Sequence, residues 1–545
     1  MPLQKLELRP GVNRESTTYS NEGGYYSGDK VRFRSGFPEK IGGWQNITSG
    51  SNTFKGVARF LWNYVTAVSQ DLLGVFTNQK VYVELGGNYN DITPLQSSVT
   101  LGTDPFATTN DSKLITVTAT SHGVVAGTYV SFSGATAVGG ITVSGQYEIL
   151  TVTGTNTYTI AATSAATSTA TGGGSVVVAA YDINAGPATY TTGLGWGGPP
   201  WGFGGWGSST AVGVPMRIWS AVNYSDDLIF AEREGKLYYW TNDVTTWSRA
   251  VTLETKADSV TKVSTTATFA SGSTSLIVAD TTGINTGSVI SGSGVPSGAY
   301  VTTSWEGGTT LTISSATTAS ATVSVTASYA GRHVPSELLL VGQSSVNGFT
   351  IAFGSAPYDP TSFTTSADPL LIRWSDLDNP YEWVPEVTNQ SGEQRLSNGS
   401  YIATAINTRQ EIVVWTDTSI YSMQYLGPPY VWGISLLDTD ISIISQNAVI
   451  AVNNVVYWMG TDKFYQYSGR VETLPCTLRQ YVYSDINASQ STQICCGHNE
   501  GYNEIWWFYC SAASDVIDRY VVFNHLERTW YYGTMERTAW LDTPL

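Results

Sequence analysis

Charge is scarce in this chain, and the charge that is present is mostly acidic. Only 13% of its 545 residues are Asp, Glu, Lys or Arg, against roughly 25% in an average globular protein. The 27 basic and 43 acidic side chains give a net charge of −16, and the sequence has no basic stripe of the kind that grips nucleic acid through its phosphates. Because 41% of the residues are hydrophobic and 12% aromatic, disorder is excluded as a description of the whole chain.

Cysteine and long apolar runs are also scarce. The four cysteines are too few for a disulfide scaffold in a chain of this length, and we expect them to be buried thiols in a protein made in a reducing cytoplasm. No stretch approaches the roughly 18 apolar residues of a membrane span, and residues 1–16 lack the apolar core of a signal peptide. The sequence therefore predicts no membrane span and no secretion by the standard route. The cysteines are Cys476, Cys495, Cys496 and Cys510.

Motifs that carry chemistry are missing as well. The four histidines form no HExxH pattern, and the chain contains neither a GxSxG elbow nor a phosphate-binding GxxxxGK[ST] loop. Cys495, Cys496 and His498 lie close in sequence, but adjacent cysteines lack the two-residue spacing of a zinc knuckle. We therefore predict no metal site and no cofactor.

Two pairs of carboxylates are the remaining candidates for catalysis. Asp376 with Asp378, and Glu382 with Glu386, could serve a glycosidase. Acidic residues in turn sequences such as SDLDNP more often cap turns through hydrogen bonds to the backbone. The sequence therefore assigns no catalytic residue, and we expect no enzymatic activity.

The residues that are abundant predict an all-β chain. Glycine, Tyr, Trp, Thr and Val are plentiful, and β-branched and aromatic side chains pack well on pleated surfaces. A strand, a short polar turn and an aromatic strand recur six times. This repeat favours an irregular β-propeller body of six or seven blades, because small sheets that cannot bury both faces alone pack around an axis. The hairpins begin at Asp71, Asp226, Leu338, Glu411, Asn454 and Arg519.

Two stretches with few charges interrupt the propeller pattern and resemble each other. GVVAGTYVSFSG from Gly123 parallels GINTGSVISGSG from Gly283, and TYTIAATSAATS from Thr157 parallels TLTISSATTAS from Thr310. Their alternating apolar residues and Gly-Ser turns predict two duplicated inserts, each a small β-sandwich-like or barrel-like domain. The predicted divisions are 1–96 for an N-terminal segment and first blade, 97–178 for the first insert, 179–257 for propeller, 258–329 for the second insert, and 330–545 for the remaining blades and C-terminal segment.

A loop rich in glycine and aromatic residues, 193–207, reads GLGWGGPPWGFGGWG. Its GxGxxG match is weak, because the prolines that follow prevent the usual helix of a dinucleotide site. One reading is a loop packed on its own body. The other is an anchor for a partner subunit, since Trp is enriched at binding hot spots. The partner-interface candidates are Trp196, Trp201, Phe203 and Trp206.

Five blocks of the sequence resemble the nozzle proteins of short-tailed bacteriophages, which are also called tubular tail or tail hub proteins. All five lie outside the two inserts. The blocks are RPGVNRESTTYSNEGGYYSGDKVRFRSGFPEKIGGW from Arg9, IRWSDLDNPYEWVPE from Ile372, EIVVWTDTSIYSMQYLGPPYVWG from Glu411, VVYWMGTDKFYQYSGRVETLPC from Val455 and NEIWWFYCSAASDVIDRYVVFNHLERTWYYG from Asn503.

The resemblance implies a structural protein of the virion tail, made in the host cytoplasm. It implies a β-propeller body, a ring of six copies, attachment to the connector adaptor, and tail fibres or spikes bound around it. It also implies a central channel that retains packaged double-stranded DNA and conducts it during ejection. The sequence assigns no residue to the channel lining. The alternative is a receptor-binding or polysaccharide-degrading tail protein in which the inserts act as carbohydrate modules.

Overall fold

The computed structural model describes residues 8–17, 19–44, 53–191, 214–304, 307–344, 348–359 and 366–542. Strands account for 45% of the chain and helices for 5%, which confirms the all-β class. Among these described residues, six four-stranded antiparallel sheets form the body, and in each the strands are neighbours in chain order. We call these sheets blades A to F. They span residues 58–91, 219–252, 340–395, 402–439, 449–474 and 495–534.

The N-terminal segment, blade A and the first insert contain the first sixteen strands. Each of these three parts forms sheets of its own. The N-terminal strands are β1 (Arg9–Val12), β2 (Gly24–Tyr25), β3 (Val31–Arg34) and β4 (Phe37–Lys40); blade A has β5 (Ala58–Val65), β6 (Asp71–Thr77), β7 (Val81–Leu85) and β8 (Asn88–Asp91); the insert has β9 (Leu95–Thr100), β10 (Phe106–Thr108), β11 (Leu114–Thr118), β12 (Tyr129–Ser133), β13 (Gly145–Gly154), β14 (Thr157–Ala161), β15 (Ala170–Gly172) and β16 (Val178–Asp182).

Blade B and the second insert follow, with one helix between them. Thr252 caps the start of this helix by accepting a hydrogen bond from the backbone of Thr255, as N-cap threonines do. Blade B has β17 (Trp219–Tyr224), β18 (Asp227–Glu232), β19 (Leu237–Trp240) and β20 (Val251–Thr252); the helix is α1 (Leu253–Thr261); the insert has β21 (Val263–Phe269), β22 (Ser275–Val278), β23 (Val289–Ser291), β24 (Val301–Thr303), β25 (Thr310–Ile313) and β26 (Ala321–Ser328).

The remaining four blades complete the chain, with a second helix between the last two. Blade C has β27 (Leu340–Gln343), β28 (Thr350–Phe353), β29 (Leu371–Trp374) and β30 (Gly392–Arg395); blade D has β31 (Ile402–Asn407), β32 (Ile412–Thr416), β33 (Ser419–Gly427) and β34 (Val431–Thr439); blade E has β35 (Val449–Val452), β36 (Val455–Met459), β37 (Phe464–Tyr467) and β38 (Val471–Leu474); α2 is Arg479–Asp485; blade F has β39 (Cys495–Asn499), β40 (Glu504–Tyr509), β41 (Arg519–Asn524) and β42 (Thr529–Thr534).

The blades pack face to face through aromatic side chains, which makes the body a β-propeller. Phe76 of blade A lies 5.9 Å from Trp219 of blade B, measured between ring centroids. Further round the ring, Phe464 of blade E lies 5.0 Å from Trp507 of blade F. Both faces of such a sheet are buried, and accordingly all six residues of β40, EIWWFY, are buried. Each of the six hairpins predicted from the sequence falls in a different blade.

The N-terminal segment is fastened to blade F. Arg32 on β3 donates to both carboxylate oxygens of Glu504 on β40, with its Nε 2.8 Å from Oε1. Glu504 has no exposed surface, and it also accepts hydrogen bonds from Trp506 and Tyr531. A buried carboxylate needs such partners, so this cluster fixes the N-terminal segment against blade F.

Each insert is one curled sheet of the barrel-like kind. In the second insert the order is β23-β26-β21-β22-β25-β24, and a bridge between Val289 and Tyr300 joins its two ends. In the first insert the order is β15-β10-β11-β14-β13-β12-β16-β9. There β15 and β16 lie near opposite ends of the order although only five residues separate them in the chain. That sheet therefore curls back on itself.

The two inserts share a set of strand neighbours, as their sequence similarity predicts, although the first sheet has eight strands and the second has six. The neighbours β10-β11, β11-β14 and β13-β14 of the first correspond to β21-β22, β22-β25 and β24-β25 of the second. Equivalent backbone bonds are also present, from Gly127 to the carbonyl of Ile149 at 2.8 Å and from Gly287 to the carbonyl of Val301 at 2.7 Å. Both glycines have a positive φ, 86° and 94°, which other residues adopt at a cost.

A buried charge cluster joins the first insert to blades A and B. The ammonium of Lys80 lies 2.5 Å from a carboxylate oxygen of Asp91 and 3.0 Å from one of Asp182. Arg249 of blade B completes the cluster by pairing with both carboxylates. Burial raises the pKa of Asp182, whereas in Asp91 the two cations outweigh burial and lower the pKa. The insert is thereby anchored at its last strand.

Candidate functional site: the central cavity and its outer groove

The inner strands of all six blades surround a central cavity of about 450 Å³. These are the first strand of each blade: β5, β17, β27, β31, β35 and β39. Ligand pockets in proteins usually have volumes of about 300–1,000 Å³, so the cavity is large enough for a small molecule or ion. One lining residue from each blade, in order from A to F, is Arg59, Ser220, Val341, Thr404, Ile450 and Cys495.

Arg59 is the charged residue of this lining. Its side chain is 4% exposed, and one guanidinium nitrogen donates to the carbonyl of Ala188. Its Nε and Nη1 have no hydrogen-bond partner. Burial lowers the pKa of Arg59, and the thiols of Cys495 and Cys510 act on it in the opposite direction. The sequence did not single out this arginine; its only signal is one charge in the aromatic strand ARFLWNYV.

Burial makes the thiols near Arg59 weaker acids than free cysteine. Burial raises the pKa of Cys495 and that of Cys510 to about 12, and burial also raises the pKa of Cys496. All four cysteines are free thiols. Cys495 and Cys510 are buried, whereas Cys476 and Cys496 are partly exposed. Within the described ranges, no group of three or more His, Cys, Asp or Glu side chains is placed to hold a metal ion.

The C-terminal segment, residues 535–542, covers one end of the cavity. Trp540 lines the cavity and donates from its indole nitrogen to the carbonyl of His498 at 2.8 Å. Its ring stacks on Trp506 with centroids 5.8 Å apart. Asp542 accepts a hydrogen bond from the backbone nitrogen of Glu500 at 2.7 Å. These contacts hold the segment on blade F.

Gly497 provides the space that Trp540 occupies. A Cβ atom at Gly497 would lie 2.2 Å from Cγ of Trp540. We expect Gly497→Ala to displace the indole, to lower the free energy of unfolding by about 1–3 kcal/mol as other overpacked sites do, and to speed proteolysis near residue 540. Gly102→Ala is the control, since nothing lies within 4 Å of its added Cβ. Equal cleavage of the two variants would show that Trp540 is not seated on blade F.

An open groove of about 850 Å³ lies on the outer side of Trp540. Trp44 is 52% exposed there, and its ring meets that of Trp540 edge to face with centroids 5.1 Å apart. The guanidinium of Arg537 lies 5.2 Å from the Trp44 ring centroid, and that of Arg32 lies 3.4 Å from the Tyr502 ring centroid. The groove therefore combines an exposed aromatic face with cations stacked on neighbouring rings.

The carboxylates considered from the sequence are engaged in turns of blade C. Asp376 accepts a hydrogen bond from the backbone of Gln390 at 2.8 Å, and Glu382 accepts one from the backbone of Val384 at 2.9 Å. Burial raises the pKa of Glu382. Asp378 has a φ of 51°, in the left-handed region. None of the four lines the central cavity or the groove.

The predicted partner anchors Trp196, Trp201, Phe203 and Trp206 lie outside the described residues. The described chain stops at Thr191 and resumes at Val214, and these two residues pair through two backbone hydrogen bonds of 3.1 and 2.9 Å. Tyr190 is held by Gln490, which exchanges two hydrogen bonds with its backbone. Thr191 and Val214, the described residues on either side of this gap, therefore lie together, near the segment that precedes blade F.

No helix in the described part of the chain is both long and apolar enough to cross a membrane.

Comparisons with known proteins assign this chain to no family. No family model matches the chain, and no curated protein matches it. Among solved structures it is similar to a phage phi92 endosialidase, with a TM-score of 0.16 and 8% sequence identity over 82% of this chain and 52% of that one. The chain thus spans about half the length of that protein. At this level of similarity no activity is transferred from one to the other.

Proposed function

We propose that this chain is a structural component of a phage tail, the nozzle, which forms a ring around a channel for genomic DNA. In this proposal six copies assemble, bind the connector adaptor on one side, and carry fibres or spikes around the ring. In this role the protein forms part of the channel wall and catalyses no reaction. It resides in the virion after synthesis in the host cytoplasm.

The observation that carries this proposal is where the nozzle-like sequence blocks lie in the fold. The block from Arg9 forms the N-terminal strands on blade F, and the other four fall in blades C, D, E and F. None falls in either insert. The resemblance is therefore confined to the N-terminal segment and blades C to F, and we take the inserts as additions to the propeller.

The charge of the chain is consistent with a wall past which DNA moves. Each copy has a net charge of −16. A lining without excess cations would not hold a polyanion through counterion release. A strongly basic lumen in the assembled ring would contradict this part of the proposal.

The groove beside Trp44 favours a second candidate, a receptor-binding or polysaccharide-degrading tail protein. Exposed aromatic faces next to polar groups suit recognition of sugar rings, and the endosialidase similarity is too low to add weight to either candidate. In this alternative the inserts would be carbohydrate modules, and the carboxylates of blade C, which do not line the groove, would cleave glycan.

Native mass spectrometry of assembled tails, with an assay for reducing sugar released from host capsule, separates the two candidates. The nozzle predicts six copies in a closed ring and no release of sugar. A trimer that releases sugar, and that loses this activity in Asp376→Asn or Glu382→Gln, would overturn the proposal. Glu472→Gln is the matched control, because Glu472 lies on the exposed edge of blade E beside Arg470.

A further inference from the structure

A further groove lies on the outer rim of the propeller, where blades A and B meet. Its volume is about 470 Å³, within the range of about 300–1,000 Å³ that ligand pockets have. One wall comes from β8, the outermost strand of blade A, and the other from the segment that joins the two outer strands of blade B. We call it the rim groove. Asn88, Tyr89 and Asn90 form the first wall, and Val244 and Trp247 form the second.

The described lining of the rim groove is mostly polar and carries no charge. Asn88 and Asn90 present amide groups, which both donate and accept hydrogen bonds, and Tyr89 presents a phenol. None of the described lining residues is Asp, Glu, Lys, Arg or His. An ionic ligand would find no opposite charge there. A neutral ligand with several hydroxyl groups would find both donors and acceptors.

Polar atoms of this lining are free to bind a ligand. No described residue forms a hydrogen bond with the phenol oxygen of Tyr89, the indole nitrogen of Trp247 or the amide oxygen of Asn90. None of these atoms is one of the buried polar atoms that lack a partner, so each has exposed surface. Burial and the charge of Glu84 raise the pKa of Tyr89. Its hydroxyl is therefore neutral and can both donate and accept.

Trp247 is held in place by its neighbours in blade B. Its ring stacks on the buried ring of Trp240, with centroids 5.9 Å apart and an angle of 10° between the planes. Its backbone nitrogen donates to the carbonyl of Asp243 at 2.9 Å. Its φ is 52°, which bulky residues rarely adopt, and residues in such conformations cluster at ligand sites. Trp247 therefore provides a fixed aromatic surface in the groove.

We propose that the rim groove binds a neutral sugar unit of a glycan. A sugar ring has apolar C–H groups that pack on an aromatic side chain, and hydroxyl groups that exchange hydrogen bonds with amides and phenols. Trp247 provides the aromatic surface, and Asn88, Tyr89 and Asn90 provide the polar groups. The site does not depend on the nozzle proposal, because it lies on a single chain and requires neither a ring nor catalysis.

Saturation-transfer NMR on the full chain tests the proposal. The probes are the methyl glycosides of glucose, galactose, mannose and N-acetylglucosamine, with methyl glucuronide and methyl galacturonide as anionic counterparts. We expect saturable binding of at least one neutral glycoside and weaker binding of both uronides, whose carboxylates have no cation to pair with in the groove. No saturable signal from any neutral glycoside would overturn the proposal. Tighter binding of a uronide than of every neutral glycoside would also overturn it.

Tyr89→Phe assigns the binding to the rim groove. This change keeps the ring that packs on Phe54 and Tyr82 and removes only the free hydroxyl. We expect the dissociation constant to rise about two- to tenfold, as the loss of one hydrogen bond does, with the urea-unfolding midpoint unchanged. Tyr430→Phe is the matched control, because Tyr430 is 77% exposed and lies in the turn of blade D. Equal dissociation constants for these two variants would overturn the assignment.

Two tryptophan variants complete the test. Trp247→Ala should abolish saturable binding, and its unfolding transition shows whether the variant is folded. If it does not fold, Tyr89→Phe decides. Trp44→Ala distinguishes the rim groove from the outer groove beside Trp540, which Trp44 lines. Loss of binding in Trp44→Ala but not in Tyr89→Phe would place the sugar in the outer groove and overturn the proposal.

Discussion

Replacing Lys80 by Met is expected to lower the free energy of unfolding by about 3–5 kcal/mol, as breaking a buried ion pair does. The side chain of Lys80 is 1% exposed, and its ammonium lies between the carboxylates of Asp91 and Asp182. Its loss would leave the buried carboxylate of Asp182 and the partly exposed carboxylate of Asp91 facing Arg249 alone. Because Asp182 ends the first insert, we also expect this insert to become more accessible to protease than the blades.

Lys463→Met is the control for this prediction. The side chain of Lys463 is 36% exposed and its ammonium lies 3.9 Å from a carboxylate oxygen of Asp462. Exposed pairs of this kind contribute about 0–1 kcal/mol. Urea unfolding of both variants gives the two free energies. A loss in Lys80→Met no larger than in Lys463→Met would show that the cluster does not anchor the insert.

Glu504→Gln, in blade F, should also lower the free energy of unfolding by about 3–5 kcal/mol. The carboxylate of Glu504 is fully buried and accepts from Arg32, Trp506 and Tyr531. A glutamine keeps the shape but removes the charge, and its NH₂ group points a donor at other donors. Arg32 is then a buried cation without an anion, and we expect the N-terminal segment to detach from blade F.

Limited proteolysis measures this detachment directly. Cleavage within residues 9–40 should become the first event in Glu504→Gln and should not do so in the wild type. Glu472→Gln serves again as the exposed control, because its partner Arg470 is 82% exposed. First cleavage elsewhere in Glu504→Gln would mean that β3 is held by contacts other than this carboxylate.

The all-β class and the six hairpins could be predicted from local pattern alone. Runs such as IVVWT and EIWWFY, separated by Asn, Asp and Gly, specify strands and turns within a few residues of each other. The similarity of the two inserts could also be seen in the sequence. Both have a glycine before the strand, Gly127 before β12 and Gly287 before β23, because the backbone there has a positive φ. These features depend on neighbours in the sequence, so one sequence suffices to find them.

The candidate site could not be predicted, because its members come together only when the ring closes. Arg59 and Cys495 are far apart in the chain, on the first and last blades, and both line the cavity. Trp540 lies after the last strand, in a segment with no strand pattern, and its place depends on the missing side chain at Gly497. The predicted partner anchors Trp196, Trp201, Phe203 and Trp206 lie outside the described residues and stay a prediction.

Electron microscopy of intact particles, with this chain marked by a bound antibody fragment, is the most direct test of the nozzle proposal. We expect six marked copies in one ring below the head-to-tail connector, enclosing a channel wide enough for double-stranded DNA. Marks at the tips of fibres in groups of three, or particles without this chain in the tail, would contradict it.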